Sequence, residues 1–300
     1  MDGGDSNSVS RHDARGGELP LAVGTLARPL ARGPRSAAFK LAGALLLAVV
    51  AHATPGLAGD RLEARFEIFG FAGLHVLTDR TIADETPSGY ALATNLNTRG
   101  LAGMFVDLRS HSEVYGTLPG KTPRPESYHA EIWRNGVKHA FAVKYLSNGD
   151  VINMSGPPSD QADYLHDVQA RGTVDQLTAY FLLERQVAQI GSCRLVVPVF
   201  DGEELYRLRF SDVRQETLPP DDFQNFTGPT QVCEVVREMI VANPDRTQGT
   251  YERGRLWYAR LLPANRVVPV RMEYETLFGS VKGYLAEVSG YGAHLRFIGE

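Results

Sequence analysis

Hydrophobic and polar residues alternate along most of this chain from Arg61 onward, the pattern of strands buried on one face only. Leu62, Ala64, Phe66 and Ile68 take every second position of the first such segment, and Gly70 and Gly73 punctuate the hairpin it opens. Residues 90–98 alternate in the same way. Segments 128–134 and 137–145 flank Asn135-Gly136, a dipeptide suited to the two positive φ angles of a type I′ hairpin turn. That turn sets a register in which His129 faces Ala142 and His139 faces Ile132. Asn148-Gly149 leads into 151–154, and Asp201-Gly202 separates 194–200 from 205–210 as a further hairpin turn. Later strands are predicted at 232–241, 256–262, 267–276 and 281–288, with Gly279 in the turn between the last two and 291–298 as a final strand.

One segment changes period. Leu177, Tyr180, Phe181, Glu184, Val187, Ala188 and Gly191 follow one another at spacings of three or four or as adjacent pairs, mostly apolar, which predicts a helix over 174–190. Thr173 reads as its N-cap, with Gln176 reaching back in a capping box, and Asp175 in the first turn suits the helix dipole. Gly191 is placed to end it.

Ten or more strands with local connections and one helix describe a mainly β fold. The expectation is a curved antiparallel sheet forming a barrel or half-barrel, with the helix in its mouth, because a sheet must cover its apolar face and protect its edges. A two-sheet β-sandwich is the alternative. The Pro- and Asp-bearing stretches 156–161 and 218–222 read as loops rather than linkers, so 61–300 is expected to be a single β-rich domain.

The N-terminus bears on compartment. Residues 1–40 read as an unstructured basic leader and signal n-region; between Leu19 and Lys40 the charges are Arg28, Arg32, Arg35 and Lys40, with no acid. An 11-residue apolar run, 41–51, follows. Ala51-His52-Ala53 then offers a small-x-small cleavage site, so 41–53 reads as the apolar core and cleavage region of a secretory signal peptide. The run is shorter than the ~20 residues of a spanning helix. Retention as an inner-membrane anchor is the alternative to cleavage and release into the periplasm.

The chain has 300 residues, 43 % of them hydrophobic, enough for a sizeable core. Its net charge of −4 argues against a nucleic-acid footprint. The two cysteines, Cys193 and Cys233, read first as a disulfide in an oxidising compartment, with two buried thiols as the other reading. Neither has a second cysteine or a histidine at zinc-ligand spacing.

The sequence holds no Gly-x-Ser-x-Gly elbow, phosphate loop, Gly-x-Gly-x-x-Gly, His-Glu-x-x-His or Cys-x-x-Cys. No catalytic, cofactor-binding or metal-binding residue is therefore assigned, and no cofactor is expected. The histidines read as surface residues. Asp160, Asp163, Asp167, Asp221 and Asp222 read as turn formers or solvated charges.

Several of these residues occur in a familiar order. Residues 193–202 run from Cys193 to the Phe200-Asp201-Gly202 turn, 205–210 form the return strand, and 228–233 end in Cys233. Residues 256–262, 268–271 and 279–285 follow, and 67–74 resemble the matching first hairpin. This order resembles the exported bacterial proteins grouped as domain of unknown function 3108, over about 61–289. The resemblance implies a β-rich periplasmic protein with no established activity and supports pairing Cys193 with Cys233; it supplies no catalytic residues. Glu234–237 departs from the family's habit of a tyrosine after the second cysteine.

Three functions compete. The first is a non-enzymatic envelope protein that binds a lipid or acyl chain in its curved sheet. The second is an envelope-integrity module acting through protein or peptidoglycan contacts, and the third a hydrolase drawing on loop Asp, Ser and His residues.

Overall fold

The computed structural model describes residues 60–70, 73–100, 103, 107–154, 170–241, 253–276 and 279–298. The signal-like segment, Asp160, Asp163 and Asp167 lie outside them.

Among the described residues, fourteen strands form one antiparallel sheet. Seven precede the helix: β1 (Asp60–Phe69), β2 (His75–Glu85), β3 (Gly89–Thr98), β4 (Leu108–Thr117), β5 (Arg124–Arg134), β6 (Val137–Tyr145) and β7 (Val151–Asn153). The helix α1 (Gln176–Ile190) is followed by β8 (Leu195–Phe200), β9 (Leu205–Leu218), β10 (Gly228–Val241), β11 (Arg253–Leu262), β12 (Arg266–Thr276), β13 (Gly279–Gly290) and β14 (Ala293–Arg296). The spatial order is β7-β6-β5-β4-β3-β2-β1-β13-β12-β11-β10-β9-β8, with β14 added to β13. Two meanders thus meet where β1 pairs β13, and they leave β7 and β8 as the far edges.

The sheet curls but does not close, so the half-barrel form of the expectation holds and the two-sheet sandwich is excluded. Its far edges are joined by the chain that enters the helix rather than by a strand ladder. Gly172 N donates to Gly149 O at 2.8 Å. Val174 N donates to Pro198 O at 3.1 Å, and Phe200 N to Val174 O at 3.0 Å. Tyr145 Oη completes the seam by donating to Phe200 O at 2.7 Å. The β8 edge groups that an added strand would need are therefore occupied in part.

The Asn135-Gly136 turn has the required positive φ angles, 51° and 83°, and the register pairs His129 with Ala142 and Ile132 with His139 as expected. Asp201-Gly202 lies in the turn between β8 and β9, as expected: Phe200 pairs with Leu205, and residues 201–204 form the loop. Asp201 Oδ1 accepts from the backbone N–H of Glu203 and Glu204, which shapes the longer turn.

The helix start is a correction. Asp175, not Thr173, is the N-cap: its side chain accepts from Thr178 N at 2.9 Å, and the helix begins at Gln176. Thr173 Oγ1 instead donates to Ala170 O at 2.6 Å, inside the turn before the helix. Gly191 ends the helix in the left-handed region, at φ 68°.

Ala179, Leu183 and Val187, one turn apart, sink into β8–β11 beside Val197, Leu208, Phe210 and Val235. Phe181 joins the other wing, with Tyr90, Val114 and Tyr128, in a cluster that also takes in Phe200 of β8. The Tyr90 ring needs Gly116 opposite, where a Cβ would come within 2.6 Å of it. Cys193 and Cys233 form a disulfide that ties the end of α1 across β9 to β10. Both cysteines are fully buried.

Candidate functional site

The helix rests mainly on β12 and β8, with lighter contact to β11, β3 and β4. Between it and the inner face of β1–β3 a cavity of about 660 Å³ remains. That size lies within the ~300–1,000 Å³ range of ligand pockets.

Period-two geometry decides which sheet residues reach the cavity. Leu62, Ala64 and Phe66 of β1, then Asp79, Thr81, Ala83 and Glu85 of β2, point inward, and directly paired residues share a face. Leu92 and Thr94 of β3 extend this wall, and Leu256, Tyr258, Val268 and Met272 supply the other. The helix contributes Leu177, Tyr180, Phe181, Glu184, Arg185 and Ala188. Small side chains at Ala64, Thr81 and Ala83 face a helix that is held away by its own packing on β8 and β12, which leaves the space open. The exposed residues Asp60, Lys121, Gln189 and Asn265 mark the mouth.

Two carboxyl groups lie inside. Asp79 accepts from Thr94 Oγ1, and from Thr81 Oγ1 at 3.0 Å. Burial pushes its pKa up against these hydrogen bonds. Glu184 has no hydrogen-bond partner among the described residues, and burial pushes it up to about 8, opposed by the charge of Arg266. Both residues keep some accessible surface, and both line the cavity.

Near the mouth, Glu85 bridges two cations. Arg185 Nη1 lies 2.7 Å from Glu85 Oε1, and Arg266 Nη2 donates to Glu85 Oε2. Burial raises the Glu85 pKa, but the hydrogen bonds from Arg266 and Arg185 outweigh it and leave the carboxyl below its usual range. Arg266 also lies over the Tyr291 ring, 5.1 Å from its centroid.

A third buried carboxyl is structural. Tyr90 Oη lies 2.8 Å from Thr178 Oγ1, whose own proton goes to Asp175 Oδ2 at 2.6 Å, so Tyr90 is the donor to Thr178. This relay anchors the start of α1 to β3. Burial pushes Asp175 up to about 6.

The described histidines do not converge. His75 lies 2.7 Å from Glu67, His111 2.9 Å from Asn95 and His129 3.4 Å from Glu131, while His139 is exposed on β6. Among the described residues no cluster of His, Cys, Asp and Glu has the arrangement to hold a metal ion. Asp221 Oδ1 accepts from Phe223 N and Gln224 N, the turn role expected of it. The sequence reading named Leu62, Ala64 and Phe66 as one face of the first strand without separating a packed core from a cavity. It missed Asp79 and the place of Glu184. The available signal was Glu184 itself, the one charged residue in an otherwise apolar helical stripe.

No curated protein matches this chain. Among solved structures, one that resembles it is the crystal structure of a beta-barrel-like protein of domain of unknown function DUF1849 from Brucella abortus. The likeness has a TM-score of 0.44 and 12 % identity, covering 79 % of this chain and 99 % of the other. The family model described as protein of unknown function (DUF3108) matches residues 65–286, and the chain belongs to that family.

Proposed function

We propose that this is an exported, non-enzymatic envelope protein that holds an apolar ligand, such as a lipid or acyl chain, between α1 and the inner face of its sheet. The observation that carries this reading is the cavity of about 660 Å³ with walls of Leu62, Phe66, Leu92, Phe181, Leu256 and Met272. Apolar walls with a few inward polar groups are the usual make-up of a small-molecule site. The export half of the proposal rests on the basic leader and apolar run of residues 1–53, and the disulfide accords with an oxidising compartment. Among the described residues no helix is long and apolar enough to cross a membrane.

Native mass spectrometry of the protein, expressed from its full chain in a bacterial host, tests the reading. A mass excess lost on denaturation, and reduced in Ala83→Phe, is the expected result. A bare mass for the unaltered protein, or an excess that Ala83→Phe leaves unchanged, would count against ligand binding in this cavity.

A further inference from the structure

Given a ligand site in this cavity, as proposed above, its buried polar groups constrain the occupant's polar end. Asp79 stands on the sheet wall and Glu184 on the helix wall of the same space. Asp79 is met by the hydroxyls of Thr81 and Thr94, which donate without cancelling charge. Glu184 has no hydrogen-bond donor among the described residues, and the cation whose field reaches it, Arg266, is already bound to Glu85. Ionising a buried carboxyl without a cation carries a cost that a cationic ligand group offsets.

The two carboxyls favour a cation over the opposite choice. An anionic head would be confined to the mouth, where Arg185 and Arg266 share the Glu85 carboxylate and Arg185 Nε has no hydrogen-bond partner among the described residues, because Asp79 and Glu184 offer it no cation. A neutral head would leave the carboxyls as they are.

We propose that the cavity takes an apolar ligand ending in a protonated amine, with Asp79 and Glu184 as its counter-ions. Such an amine resembles a lysine side chain, which is protonated at neutral pH. The alkyl chain lies along Phe66, Leu256 and Met272, and the ammonium sits between the sheet carboxylate and the helix carboxylate.

The test uses dodecylamine, dodecanol and dodecanoate, each below its micelle concentration, and reads the melting temperature of the full protein, since a ligand that binds only the folded state raises it. Dodecylamine should bind at least about tenfold more tightly than dodecanoate, the discrimination expected of a desolvated charge pair. Asp79→Asn and Glu184→Gln, which keep shape, should each reduce that preference, and Ala83→Phe should remove the response to all three compounds. Equal responses to all three would overturn the amine assignment while leaving the cavity as an apolar site. A preference for dodecanoate, or an amine preference that survives both carboxyl substitutions, would overturn it too. No response to any compound would overturn the site itself.

Discussion

The two faces of α1 meet the same sheet differently. On one, Ala179, Leu183 and Val187 are buried against β8–β11, and the disulfide fixes the helix end to that wing. On the other, Tyr180, Glu184 and Ala188 look across a cavity to Ala64, Thr81 and Ala83. A sheet of fourteen strands curls into a space wider than one helix can fill, and the helix is held to one side of it. Packing density decides the first face, and whatever occupies the space decides the second.

The largest expected effect lies on the sealed side. Cys193→Ser should destabilise the oxidised protein by about 4 kcal/mol in the chain-entropy model for the 40-residue separation. Equal melting temperatures with and without reductant would remove the disulfide from the account. Next, Leu183→Ala should cost about 3 kcal/mol by emptying a fully buried position, measured by denaturant titration. Ala83→Leu, on the cavity side, should cost less than about 1 kcal/mol because there is room for the added carbons. Similar costs for the two would erase the contrast between the faces.

Glu85→Gln should cost about 2 kcal/mol, since it withdraws charged hydrogen bonds from both Arg185 and Arg266. The Glu85 pKa is lowered on folding, so its contribution is present above the ordinary value of 4.5 and is lost as pH falls through the lower folded value. The substitution should therefore flatten stability on the acid side.

The smallest and most specific effect concerns Glu184, whose pKa is raised from 4.5 to about 8. Its folded state holds the proton more tightly, so its contribution is full below pH 4.5 and is lost as pH rises towards 8. The other charged groups lining the same space are Asp60, Asp79, Glu85, Lys121, Arg185 and Arg266. Glu184→Gln should remove this fall in the melting temperature between those pH values. A fall of unchanged size in the variant would show that Glu184 is not its source.

The contrast between the faces also explains what could be read from the residues alone. Asn135-Gly136 fixed its hairpin register because a two-residue turn leaves no freedom once both φ angles are positive. Gly191 ended the helix for the same conformational reason. β4 escaped notice because its inward positions include Ser110 and Ser112, so the strand shows no apolar alternation. The second half of β9 is mostly polar, exposed from Asp212 to Gln215, and follows its partner β10 through backbone pairing rather than burial. The N-cap was misplaced by two residues because Thr173 and Asp175 both suit the role, and the seam contacts of Val174 hold the chain extended up to Asp175. The cavity was not legible. Leu62, Ala64 and Phe66 carry the same alternation whether they face a side chain or a ligand.

A crystal structure of the protein as purified from an exporting host tests this account most directly. The account predicts electron density that is not protein between Phe66, Met272 and Glu184, with continuous side-chain packing around Leu183. A helix seated against β1 and β2, with no space between them, would contradict it.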